Sequence, residues 1–208
     1  MIYLLISVGV LAVAGYLAAL RSGNSRALAL LKPIPVLCML VGLWPLPSNY
    51  AFLIGLGLVF SLIGDLLLIG SSWFTFGLIS FLIAHLAYIA AYLSVNADLQ
   101  IGLVLPVALY GFVMGRRLWP NTGGMRWPVL LYIVVICVMV WRAATLVSVS
   151  GLKIEPSRGW WALSGAILFA LSDSLLAFDR FIRPIRYARY VIMLSYWAGQ
   201  LGIVLSVR

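Results

Sequence analysis

Two aspartates stand inside apolar runs. Gly64-Asp65-Leu66-Leu67-Leu68 lies within LVFSLIGDLLLIG, and Ser172-Asp173-Ser174-Leu175-Leu176 lies within AILFALSDSLLAF. The chain has five acidic residues, and these two are the ones that fall in hydrophobic segments. An aspartate at the centre of a bilayer costs about 2.5–3.5 kcal/mol on insertion scales, so such residues are rare and mark functional sites. Low dielectric disfavours the charged form of a carboxyl group, and two neighbouring carboxyls disfavour double ionisation. A pair in unequal surroundings can supply a proton donor and an ionised partner near neutral pH.

The surrounding residues fit that chemistry. On a 3.6-residue period Gly57, Ser61, Gly64, Asp65 and Leu68 share one face, and Gly165, Phe169, Ser172, Asp173 and Leu176 share another. Small residues beside an acid admit a neighbouring helix or a ligand. Lys32 could pair with an aspartate, hold a phosphate, or snorkel to the interface. His85, the one histidine, shares a face with Gly77, Phe81, Ala84, Tyr88 and Tyr92. It could shuttle protons or make an interhelical hydrogen bond. Tyr110, Tyr132, Tyr196 and Gln200 read first as hydrogen-bonding glue between helices, with Tyr196 and Gln200 on one face. Arg142, toward the end of its segment, reads as a snorkelling side chain.

The elements that must position these groups are membrane helices. The sequence is 64% hydrophobic and 9% charged, against about a quarter charged in soluble domains. At ~20 residues per span, the chain has room for about eight transmembrane helices in a single integral membrane domain, residues 1–208. The runs are continuous rather than alternating, which excludes a β-barrel. The formal charge of +9 sits in short connections, where topology and anionic lipids account for it. No basic surface domain exists to bind nucleic acid. Cys38 and Cys137 lie in apolar runs as packing residues, and neither CxxC nor HExxH occurs, so no metal site is expected.

The spans expected are 2–20, 27–44, 50–70, 74–94, 100–115, 127–149, 159–178 and 190–207. The first lacks a basic region ahead of its apolar stretch and reads as a helix rather than a cleaved signal. Lys32-Pro33-Ile34-Pro35 favours a helix start or a break in the second. Pro45–Asn49 reads as a turn, Arg116–Arg126 as a flexible basic loop, and 150–158 as a loop of mixed charge.

Odd-numbered connections carry Arg21, Arg26, Arg116, Arg117, Arg126, Arg180, Arg183, Arg186 and Arg189. The other side carries Lys153, Arg158 and Arg208. The excess of arginine places the odd connections in the cytoplasm and both termini outside. Lys32, Asp65 and Asp173 then fall at one depth, in the cytoplasmic half of what reads as a bacterial plasma-membrane protein. The repeated [Gly/Ser]-Asp-x-Leu-Leu suggests two parallel four-helix halves.

A set of residues carries a family resemblance. Lys32-Pro33, Gly64-Asp65-x-x-Leu68, His85-x-x-Tyr88, Gly165-Ala166-x-Leu168-Phe169-x-x-Ser172-Asp173-x-x-Leu176-Ala177 and Tyr196-x-x-x-Gln200 together resemble the YhhN family of lysoplasmalogenases. The stretch from Gly165 to Asp173 is the most specific part. One departure is Ala198-Gly199 before Gln200, where the family pattern places alanine next to the glutamine. The resemblance implies an eight-helix membrane hydrolase that cleaves the vinyl ether of lysoplasmalogens, releasing a fatty aldehyde and glycerophosphoethanolamine or glycerophosphocholine. Asp65 and Asp173 would be catalytic, with Lys32, His85, Tyr88, Tyr110, Tyr132, Ser172, Tyr196 and Gln200 binding substrate or supporting them. The partners implied are the lysophospholipid substrate and membrane lipids.

The chemistry agrees with the residues. Vinyl ether hydrolysis starts with a proton delivered to carbon, and the oxocarbenium ion formed favours a nearby carboxylate. Paired carboxylates serve a similar transition state in glycosidases, and no metal or organic cofactor is required. A rival reading makes the chain a proton-coupled transporter with the aspartates as a relay.

Overall fold

A computed structural model describes residues 1–45, 48–148 and 155–207. Among these residues every regular element is helical. Lys153 and Arg208, which entered the balance of connection charges, lie outside them, as do Leu46, Pro47 and most of the mixed loop at 149–154. Packing divides the chain into two compact units, Met1–Ala87 and Tyr88–Arg208. The division falls within one continuous helix.

The first unit opens with α1 (Ile2–Ser22), which stops at Gly23 with φ 69°, a left-handed conformation that glycine adopts without steric penalty. Asn24 caps α2 (Ser25–Leu31) by accepting the Ala27 N–H at 3.1 Å. The chain then turns at Lys32-Pro33 and resumes as α3 (Ile34–Leu43). This is the break that the two prolines predict, since a proline ring clashes with the preceding turn and donates no hydrogen bond. Ser48 caps α4 (Asn49–Leu67), and a 3₁₀ turn at Ser71–Trp73 leads into α5 (Phe74–Val95).

The buried face of α4 is Tyr50, Ala51, Ile54, Gly57, Leu58, Ser61, Gly64 and Asp65, the spacing of one helical stripe. Gly64 is on it because of close approach. A methyl there would lie 2.6 Å from the Phe81 ring of α5. Ser80 fastens the same pair of helices by donating to the Phe60 carbonyl at 2.6 Å.

In the second unit, residues 96–100 carry no regular structure. A 3₁₀ turn, Ile101–Leu103, precedes α6 (Val104–Leu118). The 116–126 stretch is not an open loop. Helix α6 continues through Arg116 and Arg117, and two 3₁₀ turns, Trp119–Asn121 and Gly123–Met125, join it to α7 (Arg126–Ser148). Then come α8 (Pro156–Phe181) and α9 (Ala188–Leu205).

Helices α8 and α9 meet backbone to backbone. A methyl on Gly165 would stand 2.6 Å from the Ile203 nitrogen, and one on Gly199 would stand 2.8 Å from the Phe169 nitrogen. Without a hydrophobic driving force between helices in lipid, such close van der Waals packing is a main source of association. At one end of this unit Met114 and Leu118 of α6 cluster with Val129 and Ile133 of α7, packed against Phe178 and Phe181 of α8.

Arg142 corrects the sequence reading. It does not snorkel; it is 2% exposed. Its guanidinium turns to the 96–100 connection and donates to the carbonyls of Asn96 and, at 2.8 Å, Asp98. Asn96 returns a bond to the Thr145 carbonyl, and Trp141 donates to the Gln100 carbonyl. The snorkelling rule fails because irregular backbone offers unpaired carbonyls closer than water, and burying them unpaired is costly.

Seven helical segments among the described residues are long and apolar enough to cross a membrane, the second being the broken pair Ser25–Leu43. The remaining long helix, α9, has 18 residues and carries Arg189, Tyr190, Tyr196 and Gln200, which lower its hydropathy. It occupies the place of the eighth expected span. The close approach of α8 and α9 is directly testable. Gly165→Ala should cost about 1–3 kcal/mol, as overpacking does, and lower the midpoint of thermal unfolding in detergent. Gly102→Ala, where nothing lies within 4 Å of the added methyl, should leave it unchanged.

Candidate active site

Each aspartate has a different setting. Asp65 lies in the last turn of α4 and is 1% exposed. The helix break between α2 and α3 carries Lys32, whose ammonium stands 3.2 Å from Asp65 Oδ1. The same nitrogen donates to the Asp65 backbone carbonyl at 3.3 Å. Lys32 therefore does not snorkel away; it neutralises the carboxylate and caps a carbonyl at the end of the helix. The pairing offsets part of the desolvation cost that either ion would carry alone.

Asp173 lies in the interior of α8 and is partly exposed. Tyr132 of α7 donates its hydroxyl to Asp173 Oδ2 at 2.7 Å. One residue on, Ser174 Oγ shares a hydrogen bond with the Tyr110 hydroxyl of α6 and bonds the Ala170 carbonyl at 2.6 Å. Three helices thus bring hydroxyls to a single turn of α8. Tyr110 and Tyr132, read from sequence as interhelical glue, join helices as expected, and Tyr132 does so on the aspartate itself.

Further sequence candidates have partners of their own. Ser172 precedes Asp173 but turns to α9, donating to the Ile192 carbonyl at 3.0 Å. Tyr88 donates to Gln200 Oε1 at 2.7 Å, and Phe169 stacks edge-on against both Tyr88 and Tyr196. Tyr88, Tyr196 and Gln200 are therefore drawn into one buried cluster that joins α5, α8 and α9. His85 is fully buried in α5. Ser174 was missed by sequence reasoning. Its signal is slight, a hydroxyl next to the acid and four residues beyond Ala170.

An apolar groove of about 350 Å³ runs between α6 and α7, lined among others by Val104, Ala108, Gly111, Ile133, Val134 and Cys137. Tyr110 and Tyr132 adjoin its lining residues Gly111 and Ile133 in sequence, so the groove and the hydroxyls at Asp173 and Ser174 are built from the same two helices. Among the described residues no group of three His, Cys, Asp or Glu side chains could hold a metal ion.

Residues 27–207 match the model of the YhhN family. The chain belongs to that family. It is 39% identical over 184 residues to the human protein named lysoplasmalogenase TMEM86B, covering 86% of this chain and 74% of the relative. Against bovine lysoplasmalogenase TMEM86A the identity is 35% over 200 residues, covering 89% and 80%. The YhhN membrane protein of an Escherichia coli strain, named as uncharacterized, is 27% identical over 183 residues, 85% of each chain. No solved structure matches this YhhN-family chain. The matched residues include Lys32, both aspartates, Tyr110 and Tyr132.

The ion pair predicts a stability effect with a defined sign. Lys32→Met should cost about 3–5 kcal/mol, because it removes the counter-charge of a buried carboxylate. Adding Asp65→Asn to Lys32→Met should restore part of the loss. A double-mutant cycle in thermal unfolding measures that coupling.

Proposed function

We propose that this chain hydrolyses the vinyl ether bond of lysoplasmalogens, with Asp173 as proton donor and Asp65 as ionised carboxylate. The names of its relatives support the substrate class. The observation that carries the assignment of roles is the inequality of the two settings. An ammonium 3.2 Å away favours the charged form of Asp65, whereas Asp173 meets a phenol hydroxyl and is the more accessible acid. Tyr132 occupies Oδ2, so the transferable proton belongs on Oδ1.

The reaction follows from those roles. The Asp173 proton goes to the vinyl carbon remote from oxygen, whose π electrons form the new C–H bond. An oxocarbenium ion remains, and negative carboxylate charge stabilises it. Water adds to the carbon bearing oxygen and gives up a proton, which restores the acid. The hemiacetal C–O bond then breaks, its hydroxyl gives up a proton as the leaving oxygen takes one, and the products are a fatty aldehyde and the glycerophospho headgroup compound. Tyr132 orients the donor, and the groove between α6 and α7 receives the alkenyl chain. From the distribution of arginines we further place both termini outside a bacterial inner membrane and the catalytic carboxylates in its cytoplasmic half.

Purified protein incubated with lysoplasmalogen should release aldehyde. Asp173→Asn should lower kcat by roughly a hundredfold to ten-thousandfold, the range of general-acid contributions, while thermal unfolding stays near that of the wild type. Absence of aldehyde from the wild type, or full activity in a folded Asp173→Asn variant, contradicts the reading. Filling the groove with Ala108→Leu should shift selectivity toward shorter alkenyl chains, read as the ratio of kcat/KM for long and short substrates.

A further inference from the structure

We infer that the arginine-rich end of the second unit is a docking surface for the headgroups of anionic phospholipids. The reasoning is independent of the proposed reaction. Arg116 and Arg117 end α6, Arg126 starts α7, Arg180 ends α8, Arg183 and Arg186 lie in the connection to α9, and Arg189 opens α9. In sequence these are three separate groups. The fold brings the three groups to one end, because Leu118 of α6, Val129 of α7, Phe181 of α8 and Ile182 just beyond it, each close in sequence to these arginines, pack in one cluster.

All seven guanidinium side chains are exposed. The acid among them is Asp179, and its Oδ1 already accepts the Ile185 N–H at 2.7 Å. The surface is therefore strongly cationic. Its rim is aromatic: Trp127 is 71% exposed and Tyr187 61%. Arg126 lies over the Trp119 ring at 5.6 Å, and Arg186 over the Tyr187 ring at 4.8 Å. Amphipathic rings of this kind sit at the headgroup level of a bilayer. Arginine forks suit phosphate oxygens better than the point charge of lysine, and no Lys stands in this set. Charge complementarity selects a phosphodiester headgroup without a compensating ammonium.

The test uses the full-length protein in neutral detergent, titrated with phosphatidylglycerol or phosphatidylcholine and followed by tryptophan fluorescence and native mass spectrometry. Phosphatidylglycerol should bind at least tenfold more tightly, and the preference should shrink as salt is raised. Arg183→Gln/Arg186→Gln/Arg189→Gln should weaken phosphatidylglycerol binding on the order of a hundredfold, at about 1 kcal/mol for each basic residue near an anionic surface, and leave phosphatidylcholine binding unchanged. Should that variant fail to fold, Arg116→Gln/Arg117→Gln is read instead, with a loss on the order of tenfold or more. Equal binding of the two lipids, a preference that salt does not reduce, or wild-type affinity in a folded neutralised variant overturns the inference.

Discussion

A carboxyl group surrounded by hydrocarbon must find a counter-charge or keep its proton. The two aspartates in apolar segments meet this constraint with different partners. Asp65 has Lys32, brought to it by a proline-broken helix. Asp173 has a tyrosine hydroxyl from a different helix. Much of the remaining architecture serves to hold these groups at fixed positions: Gly64 lets α5 close on α4 beside Asp65, and Gly165 and Gly199 let α9 close on α8 below Asp173.

The same constraint explains the position of Arg142. A guanidinium buried in the second unit is tolerated because it meets the carbonyls of a connection with no regular structure. There the unpaired groups are backbone acceptors, and a cation with several donors satisfies them together. Among the described residues two kinds of charge stand out. Lys32, Asp65, Asp173 and Arg142 are each held by a specific partner. The arginines at the ends of α6 and α8 face outward.

The parts of this arrangement that depend on local chemistry were legible in the sequence. Pro33 interrupts the helix and Pro35 fits the first turn of the next one, so the turn that carries Lys32 could be read directly. The buried stripe of α4, from Gly57 to Asp65, follows from a 3.6-residue period. The parts that depend on how one helix is rotated against another were not legible. Tyr132 and Asp173 are 41 residues apart, and a rotation of α7 would separate them. Ser172 adjoins Asp173 yet faces α9, because consecutive residues on a helix point about 100° apart. Arg142 could equally have reached water; its direction was decided by residues 96–100, which carry no sequence signal for it. The basic stretch after Gly115 reads as a loop by composition, but helix α6 carries it for another turn because Met114 and Leu118 have α7 to pack against.

The central claim is that an enzyme-held proton is delivered to carbon. Turnover of lysoplasmalogen in heavy water and in heavy-oxygen water tests it most directly. The account predicts an aldehyde with one deuterium on the carbon next to the carbonyl, on a single face, and a glycerophospho product free of heavy oxygen. Heavy oxygen in the glycerol hydroxyl, or deuterium distributed over both faces, would contradict it.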